Sequence, residues 1–132
     1  MNARALHLLS LPACHWSAPR THGVPPEPRG GHSMTQVGDL LLIFGGGQLT
    51  HDGPHWYEVD LDGVHYLDVP TLTFGECEER GERPEPRGGH TAHLLLRDGQ
   101  LGCLMLGGRD YPKSAHRNAQ LGRAEAHWLA LV

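Results

Sequence analysis

Apolar residues along this chain come in short runs closed by glycine or proline. After His32 a mixed stretch, Ser33–Val37, leads to the pair Gly38-Asp39, then to the continuous run Leu40–Phe44 and to Gly45-Gly46. A Gly-Asp pair between two such runs is a tight-hairpin signal, because glycine supplies the positive φ the turn needs. The order returns after His90 as TAHLLLR, Asp98-Gly99, an apolar run and Gly107-Gly108. These runs are too short for helices, so strands are expected at Leu40–Phe44, Val64–Val69 and Leu101–Leu106, with Gly45 and Gly107 at strand ends.

The two hairpins belong to a longer repeat. PEPRGGH occurs at Pro26–His32 and again at Pro84–His90, and a shift of 58 aligns residues 6–32 with 64–90 without a gap. The second hairpin carries four extra residues, so beyond its turn the shift becomes 62 and FGG (44–46) falls on LGG (106–108). VHYLDV (64–69) then falls on AHWLAL (126–131), and His7, His65 and His127 become one position in three copies. The unit reads as four strands: A after PRGGH, B into Gly-Gly, C as VHYLDV, and D from the Pro70-Thr71 turn through Phe74. The chain spells strands C and D of a first unit (6–21), all of a second (29–79), and A to C of a third (87–132), nine strands in all.

In this repeated order the residues resemble the kelch-repeat family. The marks are the Arg29-x-x-His32 and Arg87-x-x-His90 steps, the pairs Gly45-Gly46 and Gly107-Gly108, Tyr66 and Trp128 in the following strand, and Phe74 after a D-x-x-T turn, with Trp16 its counterpart. The resemblance implies an all-β fold, a partial kelch-type β-propeller of four-stranded antiparallel blades, in which these motif residues are structural. Arg29 and Arg87 are expected to stitch adjacent blades through a carboxylate in a bidentate pair, the alternative being that they face a central channel and bind an acidic partner. Phe74 stands where the family has Trp, and the third unit shows no D strand. Propellers close with about 4–8 blades, and a blade hides its apolar faces only against neighbours. The expectation is therefore a segment of a longer propeller, or one that self-associates through open blade edges. In isolation it should be marginal, oligomeric or aggregation-prone.

Composition narrows the chemistry. With 18 Gly, 10 Pro and an apolar fraction of 39%, a turn-rich β chain fits better than a bundle. A net charge of -4 offers no basic field for a phosphate backbone, so no nucleic-acid partner is expected. No apolar run approaches the ~20 residues of a membrane helix, so no membrane partner is expected either. Cys14, Cys77 and Cys103 make an odd, widely spaced set, which points to a reducing compartment and a cytoplasmic or nuclear placement. MNARALHLLSLPAC loosely resembles a bacterial lipoprotein signal, but His7 interrupts its apolar run and the stretch is a repeat copy of VHYLDVPTL.

Eleven histidines raise a metal hypothesis. Metal sites need three or four convergent ligands, and none of His51/His55, His90/His93 or Glu58, Asp60, Asp62, His65 shows such spacing. The iron-holding set of kelch-like specifier proteins is approached by Glu58 and Asp62, but His65 comes one residue early. No nucleophile elbow or phosphate loop is spelled, and no cofactor is expected. Function is expected in the parts that do not repeat. The B–C connections Gly47–Gly63 and Arg109–Glu125 are long and diverge in sequence. The resemblance puts them on one face with the Pro-rich D–A loops His22–Pro28 and Glu79–Pro86. The candidate partner-binding residues are His55, Trp56, Tyr57 and Glu58 in the first connection, and Tyr111, Lys113 and Arg117 in the second. The alternative for Trp56 and Tyr57 is an extra strand, or packing down on the blade. The expected function is a non-enzymatic scaffold or substrate-recognition segment that binds another protein. A metal-dependent or oxidase-like propeller enzyme, or a non-functional fragment of a longer kelch protein, are the alternatives.

Overall fold

The computed structural model describes residues 6–110, 121–122 and 126–130, and every regular element among them is a strand. A first sheet pairs β1 (Leu8–Ser10) with β2 (His15–Ser17). The central sheet holds β3 (His22–Gly23), β4 (Gly30–Val37), β5 (Leu40–Asp52), β6 (His55–Asp60), β7 (Val64–Asp68) and β8 (Thr73–Glu76). Its order is β3-β8-β7-β5-β4, with β6 added to β5. Then come β9 (Thr91–Arg97), β10 (Gln100–Leu106), a two-residue ladder of β11 (Arg109–Asp110) on β12 (Leu121–Gly122), and β13 (Ala126–Ala130), with the last sheet ordered β13-β10-β9. The nine expected strands are all present, and β3, β6, β11 and β12 are additional, making thirteen among the described residues.

The expected turns form where their chemistry permits. Val37 pairs with Leu40 around Gly38-Asp39, and Arg97 pairs with Gln100 around Asp98-Gly99. Asp98 and Gly99 both take positive φ (52° and 76°), the signature of a type I′ hairpin.

One expectation is corrected. Gly107 follows the last residue of β10, but Gly45 does not end its strand: β5 runs on to Asp52. It pairs with β7 over Leu40–Phe44, and with β6 from Gly47 to Asp52. The change of partner falls at Gly45-Gly46, where φ is 69° and 83°. Only glycine takes such angles without cost, so the pair bends the strand and lets it continue. The connection expected as a loop from Gly47 is therefore a β-ribbon, and the two-residue β3 likewise replaces part of the expected loop His22–Pro28, lying parallel to β8.

Burial follows the alternation of β5. Leu42 and Phe44 join Val64 and Met105 of the last sheet in one cluster, while Ile43 joins Leu67, Phe74 and half-buried Leu6 on the other face. A strand covered on both faces reads as a continuous apolar run rather than an alternating one. Phe44 is 4% exposed, a burial worth roughly 1.5–3 kcal/mol. Its counterpart in the third unit, Leu106, is 42% exposed. The outward face of the last sheet thus shows water what the central sheet hides.

Candidate protein-binding surface

The repeated motif builds the joint between the central and last sheets. Gly46 N donates to Arg87 O and Gly89 N donates to Gly31 O, both at 2.8 Å. The ring of His90 bridges the same joint: Nε2 lies 2.7 Å from Ser33 Oγ, and its edge meets Phe44 at 5.1 Å and 73°. Cys103 Sγ sits 3.8 Å from Thr35 Oγ1 across the joint. A Cβ on Gly45 would collide with Arg87 O and the His90 ring, and one on Gly108 would come within 3.0 Å of Gly88 O.

The two arginines repeat one geometry. Arg29 donates from Nε to Glu27 O (3.1 Å) and from Nη1 to Gly45 O (3.0 Å). Arg87 does the same with Glu85 O (3.0 Å) and Gly107 O (3.0 Å), and its Nη2 faces His127 Nε2 at 3.3 Å. The acceptors of Arg29 are carbonyls of its own unit, where a carboxylate of the neighbouring unit was expected. A carbonyl already fixed by strand pairing, as Gly45 O is, is a preorganised acceptor. Burial separates the copies: Arg87 is 1% exposed and Arg29 half-buried. Burial, then the charge of a nearby arginine, holds His32, His65 and His90 below the usual imidazole range. Tyr66 covers Gly75 and Trp128 covers Gly102, each occupying the space a Cβ would need. Phe74 fills the core at the family's Trp position.

The ribbon is the part the repeat does not explain. Among the described residues, β5 past Gly47 pairs with β6 alone, in the register Leu49↔Glu58, Thr50↔Tyr57, His51↔Trp56 and Asp52↔His55, closed by Gly53-Pro54. Strand side chains alternate, so Leu49, His51, Trp56 and Glu58 share one face, and Thr50, Asp52, His55 and Tyr57 the other. Trp56 (65%), Leu49 (64%) and Tyr57 (45%) are exposed. The His51 and Trp56 rings lie 4.9 Å apart at 50°. Glu58 packs its carboxylate on Gly47, where a Cβ would collide with it. At the base Leu61 N donates to Gly46 O at 2.8 Å. Beside that base lies the loop after β8: Arg83 reaches Glu79 at 2.7 Å and Asp62 at 3.8 Å, and Val64 N donates to Glu79 at 3.3 Å.

His55, Trp56, Tyr57 and Glu58 therefore fall on one extra strand, as the alternative reading of the aromatics had it, with the two rings on opposite faces. Tyr111, Lys113 and Arg117 lie outside the described residues. Leu49 and His51 escaped sequence reasoning, because only the cross-strand register places them beside Trp56. Among the described residues no three His, Cys, Asp or Glu side chains converge as a metal would require. An open hollow of about 440 Å³ on the central sheet is lined by Pro26, Arg29, Asp62, His65, Phe74 and Glu76 among others.

Comparison with known proteins agrees with this architecture. The family described as the KLHDC2/KLHL20/DRC7 Kelch-repeats domain matches residues 1–127. Acyl-CoA-binding domain-containing protein 5 of Arabidopsis thaliana is 39% identical over 85 residues, 64% of this chain and 12% of that protein. The Rab9 effector protein with kelch motifs of Bos taurus is 37% identical over 90 residues, 67% of this chain and 23% of that protein. The Rho GTPase-activating protein gacHH of Dictyostelium discoideum is 34% identical over 107 residues, 80% of this chain and 7% of that protein. The chain thus spans less than a quarter of each of these relatives. Repeat, sheet order and family match converge: this chain belongs to the kelch-repeat family, and its fold is part of a kelch-type β-propeller.

Proposed function

We propose that this chain is a non-enzymatic recognition segment that holds another protein on the β5–β6 ribbon. The observation that carries the reading is the pair of large apolar side chains, Leu49 and Trp56, standing mostly in water on one face of a ribbon that no other strand among the described residues covers. Exposed aromatics on a rigid two-stranded support make effective interface anchors, because little side-chain entropy is lost when they are covered. His55, Tyr57 and Glu58 extend the surface, and Tyr111, Lys113 and Arg117 of the neighbouring connection complete the proposed set. The kelch family and the relative named as a Rab9 effector support a protein-interaction role. Free thiols at Cys14, Cys77 and Cys103 suit a cytoplasmic or nuclear setting.

A photo-crosslinking residue at position 56 tests this in cells, with one at exposed Gln36 as control. Discrete protein adducts from position 56 alone are expected, and they should disappear when Leu49→Ala is added. The same adducts from both positions would refute the ribbon as the site. The open face around Leu106 supports a second reading, self-association through the last sheet.

A further inference from the structure

We infer that the partner segment held by the ribbon is cationic as well as apolar: an extended stretch of another protein in which lysine or arginine alternates with aliphatic residues. The inference rests on the proposed binding role and adds the chemistry of the partner.

The charge of the ribbon's own sequence has one sign. From Gly47 to Asp62 the chain has no lysine or arginine, but it has Asp52, Glu58, Asp60 and Asp62. The end of β8 and the loop after it add exposed Glu76, Glu78 and Glu82 against exposed Arg80. Arg83 of that loop is already engaged by Glu79 and Asp62. Leu49 and Trp56 thus form an apolar stripe with Glu58 on the same face, while Asp52 projects from the opposite face near the tip. Covering the stripe with a neutral or acidic strand would desolvate Glu58 with no compensating partner, which is costly. A basic alternating strand covers Leu49 and Trp56 with its aliphatic set, while the long stems of its lysines or arginines reach past the ribbon edge to Glu58 and Asp52. A cation over the exposed indole face adds a cation–π contact. Charge complementarity of this kind also speeds encounter and rejects acidic partners. The corresponding connection of the third unit has the opposite sequence bias, Arg109, Lys113, Arg117 and Arg123 against Asp110 and Glu125. The preference therefore belongs to the ribbon alone, and Lys113 and Arg117 of the third-unit connection would meet a different, non-cationic part of the partner.

Two fluorescein-labelled peptides test the inference, one alternating lysine with valine and leucine, the other with glutamate at every lysine. Fluorescence anisotropy with the whole chain should show the lysine peptide binding at least about tenfold more tightly. Its affinity should fall about fivefold in the pair Asp52→Asn/Glu58→Gln, with a flatter salt dependence. Trp56→Ala should weaken it by tenfold or more, and Leu49→Ser replaces that variant if it unfolds. Equal binding of the two peptides, or binding unmoved by the ribbon variants, would overturn the inference. If position 56 still gives specific cellular adducts, only the partner chemistry falls; without adducts the binding reading falls too. Sedimentation that shows dimers of the chain lost on Trp56→Ala would make the occupant a second copy, and would also overturn it.

Discussion

Arg29 and Arg87 stand in the same seven-residue motif and make the same two carbonyl bonds, yet their substitution should cost very different amounts. Arg87 is 1% exposed, so replacing it with methionine leaves Glu85 O and Gly107 O without these donors in a place water cannot easily reach. A hydrogen bond from a charged donor is worth about 1.5–3 kcal/mol, and an acceptor stranded in the interior costs about 1–3 kcal/mol. Methionine keeps much of the apolar stem, so little cavity cost is added. The net loss for Arg87→Met should be about 3 kcal/mol. Arg29 is half-buried and borders an open hollow, so water can replace its guanidinium at Glu27 O and Gly45 O. Arg29→Met should cost about 1 kcal/mol, near the ordinary net value of a hydrogen bond. Urea unfolding followed by tryptophan fluorescence reads both. With a slope of about 2 kcal/mol per molar urea, the midpoint should drop by about 1.5 M for Arg87→Met and about 0.5 M for Arg29→Met. Equal drops would refute the reasoning, because they would mean that the shared motif sets the energetics and burial does not.

Acid should loosen the joint between sheets. His32, His65 and His90 are held below the ordinary imidazole value of 6.5 by burial and by a neighbouring arginine, so the unfolded chain binds more protons than the folded one near neutrality. Their neutral-state contribution is fully present above pH 6.5 and is lost as pH falls from there through the depressed folded values. The urea midpoint should decline between pH 7 and pH 5, and His90→Gln, which can still reach Ser33, should make the decline shallower; a flat profile would refute this. Leu106→Lys places a charge on the apolar outward face of the last sheet. Sedimentation velocity should show fewer oligomers than wild type, whereas a wild-type chain already monomeric at high concentration would rule out assembly through that face.

Strand positions, the tight turns and the repeat were legible because their causes are local. A two-residue turn needs residues that tolerate positive φ, and Asp98-Gly99 supplies them whatever surrounds it. PEPRGGH announces a recurring backbone geometry, and the apolar runs announce burial. The course of β5 past Gly45 was not legible. Glycine permits both an end and a bend, and only pairing with β6 chooses between them. The same holds for Leu49, whose place beside Trp56 depends on cross-strand register, and for His22–Gly23, which joins β8 only when the chain has come round to that edge. The two arginines mark the boundary most sharply. Their local sequence and their two carbonyl bonds are the same, but packing buries one and leaves the other beside water. Desolvation is a property of the assembled neighbourhood, so the tertiary structure alone decided what each arginine is worth.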